Sequence, residues 1–186
     1  MTYPSFLNDI LKVSDKSGNE IRELILRQEL PKGHYLFREG ELCRKLFFIE
    51  KGIARIYFNQ GSKEVTASFS TENSFLVAID SFSQNIPTRD NCELLEPSIV
   101  YSMDYTDLDA ILRENPEIAR IAFYIVIKIL KQFFEYITDV KFQTAKERFE
   151  AFLSNHPSIV MKASLGSIAS YLGITQETLS RIRAQK

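Results

Sequence analysis

Ser164-Leu-Gly-Ser-Ile-Ala-Ser-Tyr-Leu-Gly-Ile-Thr-Gln-Glu-Thr-Leu-Ser-Arg-Ile-Arg183 reads as a short helix, a tight turn and a second helix. Ile168 and Leu172 stand four apart, on one face of the first helix. Gly173 falls where the chain must turn sharply, and glycine alone takes a positive φ without steric cost. Thr175 is placed to cap the second helix, and Glu177 sits in its first turn, at the positive end of the helix dipole. Leu179 and Ile182 then face back toward the first helix, and the small Ala169 lets the two cross closely. A DNA-reading helix-turn-helix needs this set of constraints, and an ordinary pair of packed helices closing a domain also meets it. The opposite face of the second helix carries Gln176, Glu177, Ser180, Arg181 and Arg183, groups able to reach base edges or phosphates. The sequence stops three residues after Arg183, so this helix is expected to be supported mainly through Leu179 and Ile182.

Upstream, Thr144-x-x-Glu147 is a capping-box pattern opening a helix with Phe149, Phe152 and Leu153 inward and ending before Pro157. Residues 139–144 are the expected hinge. Before them, Asn115-Pro-Glu117 offers a cap, a proline at the first helical position and an acid beside it. These predict a long helix from about Pro116 to Thr138. It carries two apolar stripes: Ile118, Ala122, Ile125, Ile129 and Phe133, and then Phe123, Ile127, Leu130, Phe134 and Ile137. One stripe is enough to pack onto the chain's own domain. Two suggest a further partner, most simply a second copy across a two-fold axis, and the first stripe is taken as that dimer contact. The other reading is a helix sandwiched inside its own chain.

From His34 to Met103 the period changes from helical to β. Short apolar segments alternate with turn signals: Tyr35–Phe37, Leu46–Ile49, Ile53–Phe58, Val65–Phe69, Ser74–Ile79, Cys92–Leu95 and Ile99–Met103. Ala54, Ile56 and Phe58 share one face, as do Val65, Ala67 and Phe69 on the next strand, so Asn59–Ser62 reads as a hairpin loop. Many short strands at this spacing suggest a sandwich or barrel. In front of them a short helix is expected over residues 5–13. Ser17-Gly-Asn-Glu20 reads as a capping box, with a second helix through Ile21, Leu24 and Ile25 that stops before Pro31. After the strands, Thr106-x-x-Asp109 is a possible cap for the helix preceding the long one.

Composition bounds the rest. The 186 residues are 45% hydrophobic and 25% charged, which suits one or two globular domains with a real core. The net charge is only −1, but from Asp139 to Lys186 seven Lys/Arg stand against four Asp/Glu, leaving the remainder acidic. A basic C-terminal part on an acidic N-terminal part fits a nucleic-acid module joined to something else. Cys43 and Cys92 lie far apart, and two thiols cannot hold an iron–sulfur cluster. With only His34 and His156, a zinc site is not expected. Reduced thiols, the lack of a signal-peptide pattern over Met1–Val13 and the charges interrupting Ile121–Ile137 point to a cytoplasmic protein without a membrane span.

Together, β-barrel, long helix, hinge and terminal helix-turn-helix resemble the cyclic-AMP receptor protein / fumarate-nitrate regulator (CRP/FNR) superfamily of bacterial transcription factors. The densest matches are Lys32-Gly-x-x-Leu-Phe-x-Glu-Gly40 through Leu46-Phe-Phe-Ile-x-x-Gly52, similar to the sensor-barrel signature, and Gly173–Arg183, similar to the family's recognition helix. The wording around Tyr171–Arg181 resembles members from the Bacteroidetes most. The resemblance implies an α+β chain in three parts. Residues 1–114 would be a cyclic-nucleotide-binding-like barrel of jelly-roll type with N-terminal helices. Residues 115–138 would be a dimerisation helix, and residues 139–186 a winged-type helix-turn-helix domain. It also implies double-stranded DNA, a second copy and RNA polymerase as partners.

Carried over by position, Gln176, Glu177 and Arg181 would face the major groove, Glu177 toward a cytosine amino group and Arg181 toward guanine. Gln176 stands where arginine is frequent. Thr175, Thr178 and Ser180 would contact phosphates. The sensor half departs from the nucleotide-binding pattern. Where such members have Gly-Glu-Leu and an Arg-Ser pair, this chain has Ser74-Phe75-Leu76 and Pro87-Thr88. Each missing charge-assisted hydrogen bond is worth roughly 1.5–3 kcal/mol. Phe75, Leu76, Val77, Pro87, Thr88 and Arg89 are therefore expected to line a retuned, more apolar pocket, with no cyclic nucleotide or other resident cofactor and an unknown small effector at most. Haem has only His34 and the two thiols to work with. Two other classes compete. A small-molecule-binding protein whose terminal helices serve assembly would lack salt-dependent DNA affinity. An enzyme would need a nucleophile–base pair, a metal constellation or a phosphate-cradling glycine loop, and none is found in the sequence.

Overall fold

The computed structural model describes residues 13–184, so the helix expected over residues 5–13 lies, Val13 apart, outside the described residues. The chain runs α1 (Asp15–Leu24), β1 (Leu26–Leu30), β2 (Tyr35–Phe37), β3 (Lys45–Lys51), β4 (Ala54–Gln60), β5 (Lys63–Ser70), β6 (Ser74–Leu76), α2 (Ile79–Gln84), β7 (Asp90–Leu94) and β8 (Ser98–Asp104). It continues through α3 (Tyr105–Glu114), α4 (Pro116–Phe142), α5 (Ala145–Asn155), α6 (Pro157–Lys162), α7 (Leu165–Tyr171) and α8 (Gln176–Ala184). The architecture is α+β, with the strands first, then the long helix, then the terminal helices.

The strands form two antiparallel sheets, β1-β8-β3-β6 and β2-β7-β4-β5. Alternation sends Phe47, Ile49, Leu76 and Val100 from the first sheet to meet Phe37, Ala54, Cys92 and Leu94 from the second, and all of these are buried. Phe48, Tyr101 and Met103 point out of the first sheet and pack under Ile21 of α1, Ile111 of α3 and Ile118 of α4. Gly52 shows why one turn admits no side chain: at φ +120 its absent Cβ would fall 2.0 Å from Ser98 Oγ.

Local chemistry sets most of the helix ends. Asn115 Oδ1 accepts from the backbone N–H of Glu117 (3.1 Å) and Ile118 (3.2 Å), with Pro116 opening α4. Thr144 and Glu147 make the full capping box of α5. Elsewhere the expectations shift. The cap of α1 is Ser14, not Ser17, and Ser17 instead donates its hydroxyl to Glu117. Asp104 occupies the cap position of α3 in place of Thr106. The segment read as the continuation of the second helix is strand β1. It pairs with β8 from Leu26↔Ser102 to Leu30↔Ser98, and this ladder overrides a weak helical preference. β6 ends at Leu76 rather than Ile79, and the short helices α2 and α6 follow where none was expected. Helix α4 runs four residues further than predicted, so the hinge narrows to Gln143–Thr144.

The shared face expected for Val65, Ala67 and Phe69 is also broken. Val65 opposes Phe58 and Thr66 opposes Tyr57, but Ser68 opposes Ile56 and Phe69 opposes Arg55. One extra residue in β5 flips everything after it to the other side of the sheet. Phe69 therefore leaves the barrel interior and meets the terminal helices.

Candidate nucleic-acid interface

Helices α5 to α8 close on a core of Phe149, Phe152, Ile159, Ile168, Leu172 and Leu179, joined by Ile53 and Leu95 from the end of the second sheet. Gly173 takes φ +67 in the turn between α7 and α8. Leu172 N–H bonds back to Ile168 O and Ile174 N–H to Ala169 O (both 3.0 Å), which fixes the angle at which α8 leaves. Thr175 Oγ1 accepts from Thr178 N–H at 3.2 Å, the cap expected from sequence. Leu179 is fully buried and Ile182 nearly so, and the opposite face of α8 is free.

That free face carries Gln176, Glu177, Ser180 and Arg181, all exposed, with Thr175 exposed at the cap and Thr178 half-buried. The two threonine hydroxyls lie 3.1 Å apart, and Arg181 donates to Thr178 Oγ1 at 3.3 Å. Both threonines thus orient the helix start and the arginine. Gln176 leans toward α7, its Oε1 3.2 Å from where a Cβ on Gly166 would stand. The Glu177 carboxyl is held below the usual carboxylate range by its own backbone N–H first and the Thr175 hydroxyl second, with Arg181 and Lys63 adding positive charge. It is therefore a fully charged acceptor, suited to an amino group on a base edge.

Contacts from three distant segments hold this unit against the barrel. Thr66 N–H donates to Ser170 Oγ at 2.9 Å. The Phe69 ring lies 5.5 Å from Tyr171 and 6.1 Å from Phe152, and Tyr136 of α4 stacks on Tyr171 at 5.3 Å while donating to its carbonyl. Arg148 donates to Leu172 O (3.1 Å) and Gln143 O (2.7 Å), tying the hinge to the turn of the helical pair. The aromatic spacing of Phe69, Tyr136 and Tyr171 holds no local signal, because the three come from three distant segments.

The proposed dimer stripe divides. Ile118 is buried on the chain's own sheet, and Ala122 and Ile125 are half-buried over it, so these three serve the intrachain core. Ile129 and Phe133 are exposed. The second stripe is open over most of its length: Phe123 is 61% exposed, Ile127 and Leu130 45% each and Phe134 60%, with Ile137 half-buried at its end. Phe123, Ile127, Leu130, Phe134 and Ile137 alternate in steps of four and three, the spacing of a coiled-coil seam.

The six residues expected to line an effector pocket do not converge. Leu76 is packed in the barrel interior, while Phe75, its neighbour on β6, points out of the opposite face, its ring tilted against Phe48 with centroids 4.8 Å apart. Val77 is half-buried. Thr88 is buried, its N–H bonded to Glu41 O and its carbonyl to Gly40 N–H. Pro87 and Arg89 are exposed, Arg89 lying 5.6 Å from the Phe58 ring. Phe75 and Leu76 are successive residues of β6 and so face opposite sides of the sheet. Among the described residues no cluster of three His, Cys, Asp or Glu could hold a metal ion, and no helix is long and apolar enough to cross a membrane.

The cyclic nucleotide-binding domain family matches residues 27–115, the barrel and α3. The chain is 27% identical over 188 residues to the fumarate and nitrate reduction regulatory protein of Vibrio cholerae, spanning 91% of this chain and 72% of that one. Its fold is similar to that of FixK2 from Bradyrhizobium japonicum, with a TM-score of 0.72 at 18% identity over 87% of this chain and 83% of that one. A transcriptional regulator of the crp/fnr family from Eubacterium rectale superposes with a TM-score of 0.73 at 17% identity, over 97% and 85% of the two chains.

Proposed function

We propose that this chain, which belongs to the CRP/FNR family of transcriptional regulators, acts as a homodimer that reads a two-fold symmetric DNA operator through α8. The observation that carries this reading is the polar face of Gln176, Glu177, Ser180 and Arg181, exposed on a helix whose other face is anchored by Leu179 and Ile182. Such a helix enters a major groove with its N-terminal residues at the base edges, and two related by a dimer axis meet half-sites about 34–36 Å apart. Glu177 accepts from a cytosine amino group and Arg181 pairs with guanine, while the Ser180 hydroxyl reaches a phosphate. The exposed stripe on α4 supports pairing of two copies along that helix. RNA polymerase is the protein partner this reading implies.

The test is a band-shift titration on a palindromic site selected from random DNA. Affinity should fall steeply with salt. Arg181→Ala should cost about 1–3 kcal/mol and relax preference at one base pair per half-site. Ser180→Ala should weaken every sequence alike. If the two variants lose the same affinity on all sequences, the groove assignment is wrong.

A further inference from the structure

The Phe75 ring of β6 faces away from the barrel interior and packs with Phe48 under the helices. It forms one wall of a cavity of about 80 Å³ between the outer face of the first sheet and helices α1, α3 and α4. Phe48 and Met103 stand on the sheet side and Ile111, Ala122 and Ile125 line it from the helices, with one side open. Apart from Ser102, the described lining is apolar side chain, and the Tyr101 hydroxyl donates to Glu50 at 3.3 Å. One water needs only on the order of 10–15 Å³, but it also needs two to four polar partners. This lining does not offer them, and an ionic ligand would find no counter-charge. Meanwhile the barrel interior is filled by Phe37, Ile49, Leu94 and Val100, none more than 1% exposed.

We infer that this cavity is a binding site for a small, uncharged, apolar molecule, seated where the sensor sheet meets the long helix. The inference rests on the regulator reading for its significance. A ligand there touches both the sheet and Ile125 of α4, two residues before Ile127 in the exposed seam.

The full chain is titrated with benzene and followed by methyl NMR of its methionines and isoleucines. Saturable shifts are expected at Met103, Ile111 and Ile125, with a rise in melting temperature. Ala122→Leu, which fills the cavity, should weaken binding by about tenfold or more while keeping the native methyl spectrum. Ile121→Phe, on the half-exposed rim, serves as the second filling variant. Shifts that never saturate, that appear first at the exposed Ile127 and Ile129, or that persist undiminished in the folded variants would overturn the inference. Operator binding is measured on the same samples. Its absence counts against the regulator reading alone, because the benzene titration decides the cavity by itself.

Discussion

Leu130→Lys tests which face of the long helix pairs two copies. Leu130 is 45% exposed and sits in mid-seam, between Ile127 and Phe134. Fully burying a leucine is worth about 1.5–3 kcal/mol, so covering its exposed half contributes about 1 kcal/mol. A two-fold axis counts it twice, giving about 2 kcal/mol per dimer. Lysine removes that and sets two ammonium groups near the same axis, adding about 1 kcal/mol more. A total of about 3 kcal/mol corresponds to a dimer dissociation constant raised about a hundredfold. Sedimentation equilibrium over a concentration series measures it. Ile125→Ala is the control, because Ile125 is half-buried on the chain's own sheet. It should lower the melting temperature and leave the dissociation constant nearly unchanged. If Ile125→Ala breaks the dimer and Leu130→Lys does not, the assignment of faces is refuted.

Acid should loosen the join between α1 and α4. The Glu117 carboxyl is held at about 2, against an ordinary 4.5, chiefly by the Ser14 hydroxyl, then the Ser17 hydroxyl and the Ser14 N–H. A depressed folded value stabilises the fold fully above pH 4.5 and is lost as pH falls toward 2. The melting temperature of the parent should therefore drop more steeply across that window than that of Glu117→Gln; parallel curves would show that the carboxylate contributes nothing. Phe69→Ala removes a half-buried ring lying against Tyr171 and Phe152, so it should cost about 2 kcal/mol of docking between barrel and terminal helices. Amide exchange in α7 should rise about thirtyfold, and unchanged exchange there would sink the idea that this ring holds the two together.

The candidate interface was more legible than the sensor. Gly173 and Thr175 close the turn and cap α8 through bonds that stay within five residues, so their spacing carries the geometry. Phe75 and Leu76 could not be placed in this way. Their roles depend on which face of β6 turns inward, and that is set by pairing with β3, where Phe48 opposes Phe75 and Phe47 opposes Leu76. The two stripes of α4 were both visible, but nothing in the helix itself says which one the barrel takes.

By itself the sequence determined the caps at Asn115, Thr144 and Thr175 and the turn at Gly173, whose hydrogen bonds close locally, and the strand character of the alternating segments between His34 and Met103, though not their partners. Tertiary structure alone decided what depends on pairing across the chain. β8 drew Leu26–Leu30 out of a helical reading and into a strand. One extra residue in β5 sent Phe69 to the terminal helices instead of the barrel core. A helix selects its partners within four residues, and a strand takes its register and its inward face from a neighbour that can lie anywhere in the sequence.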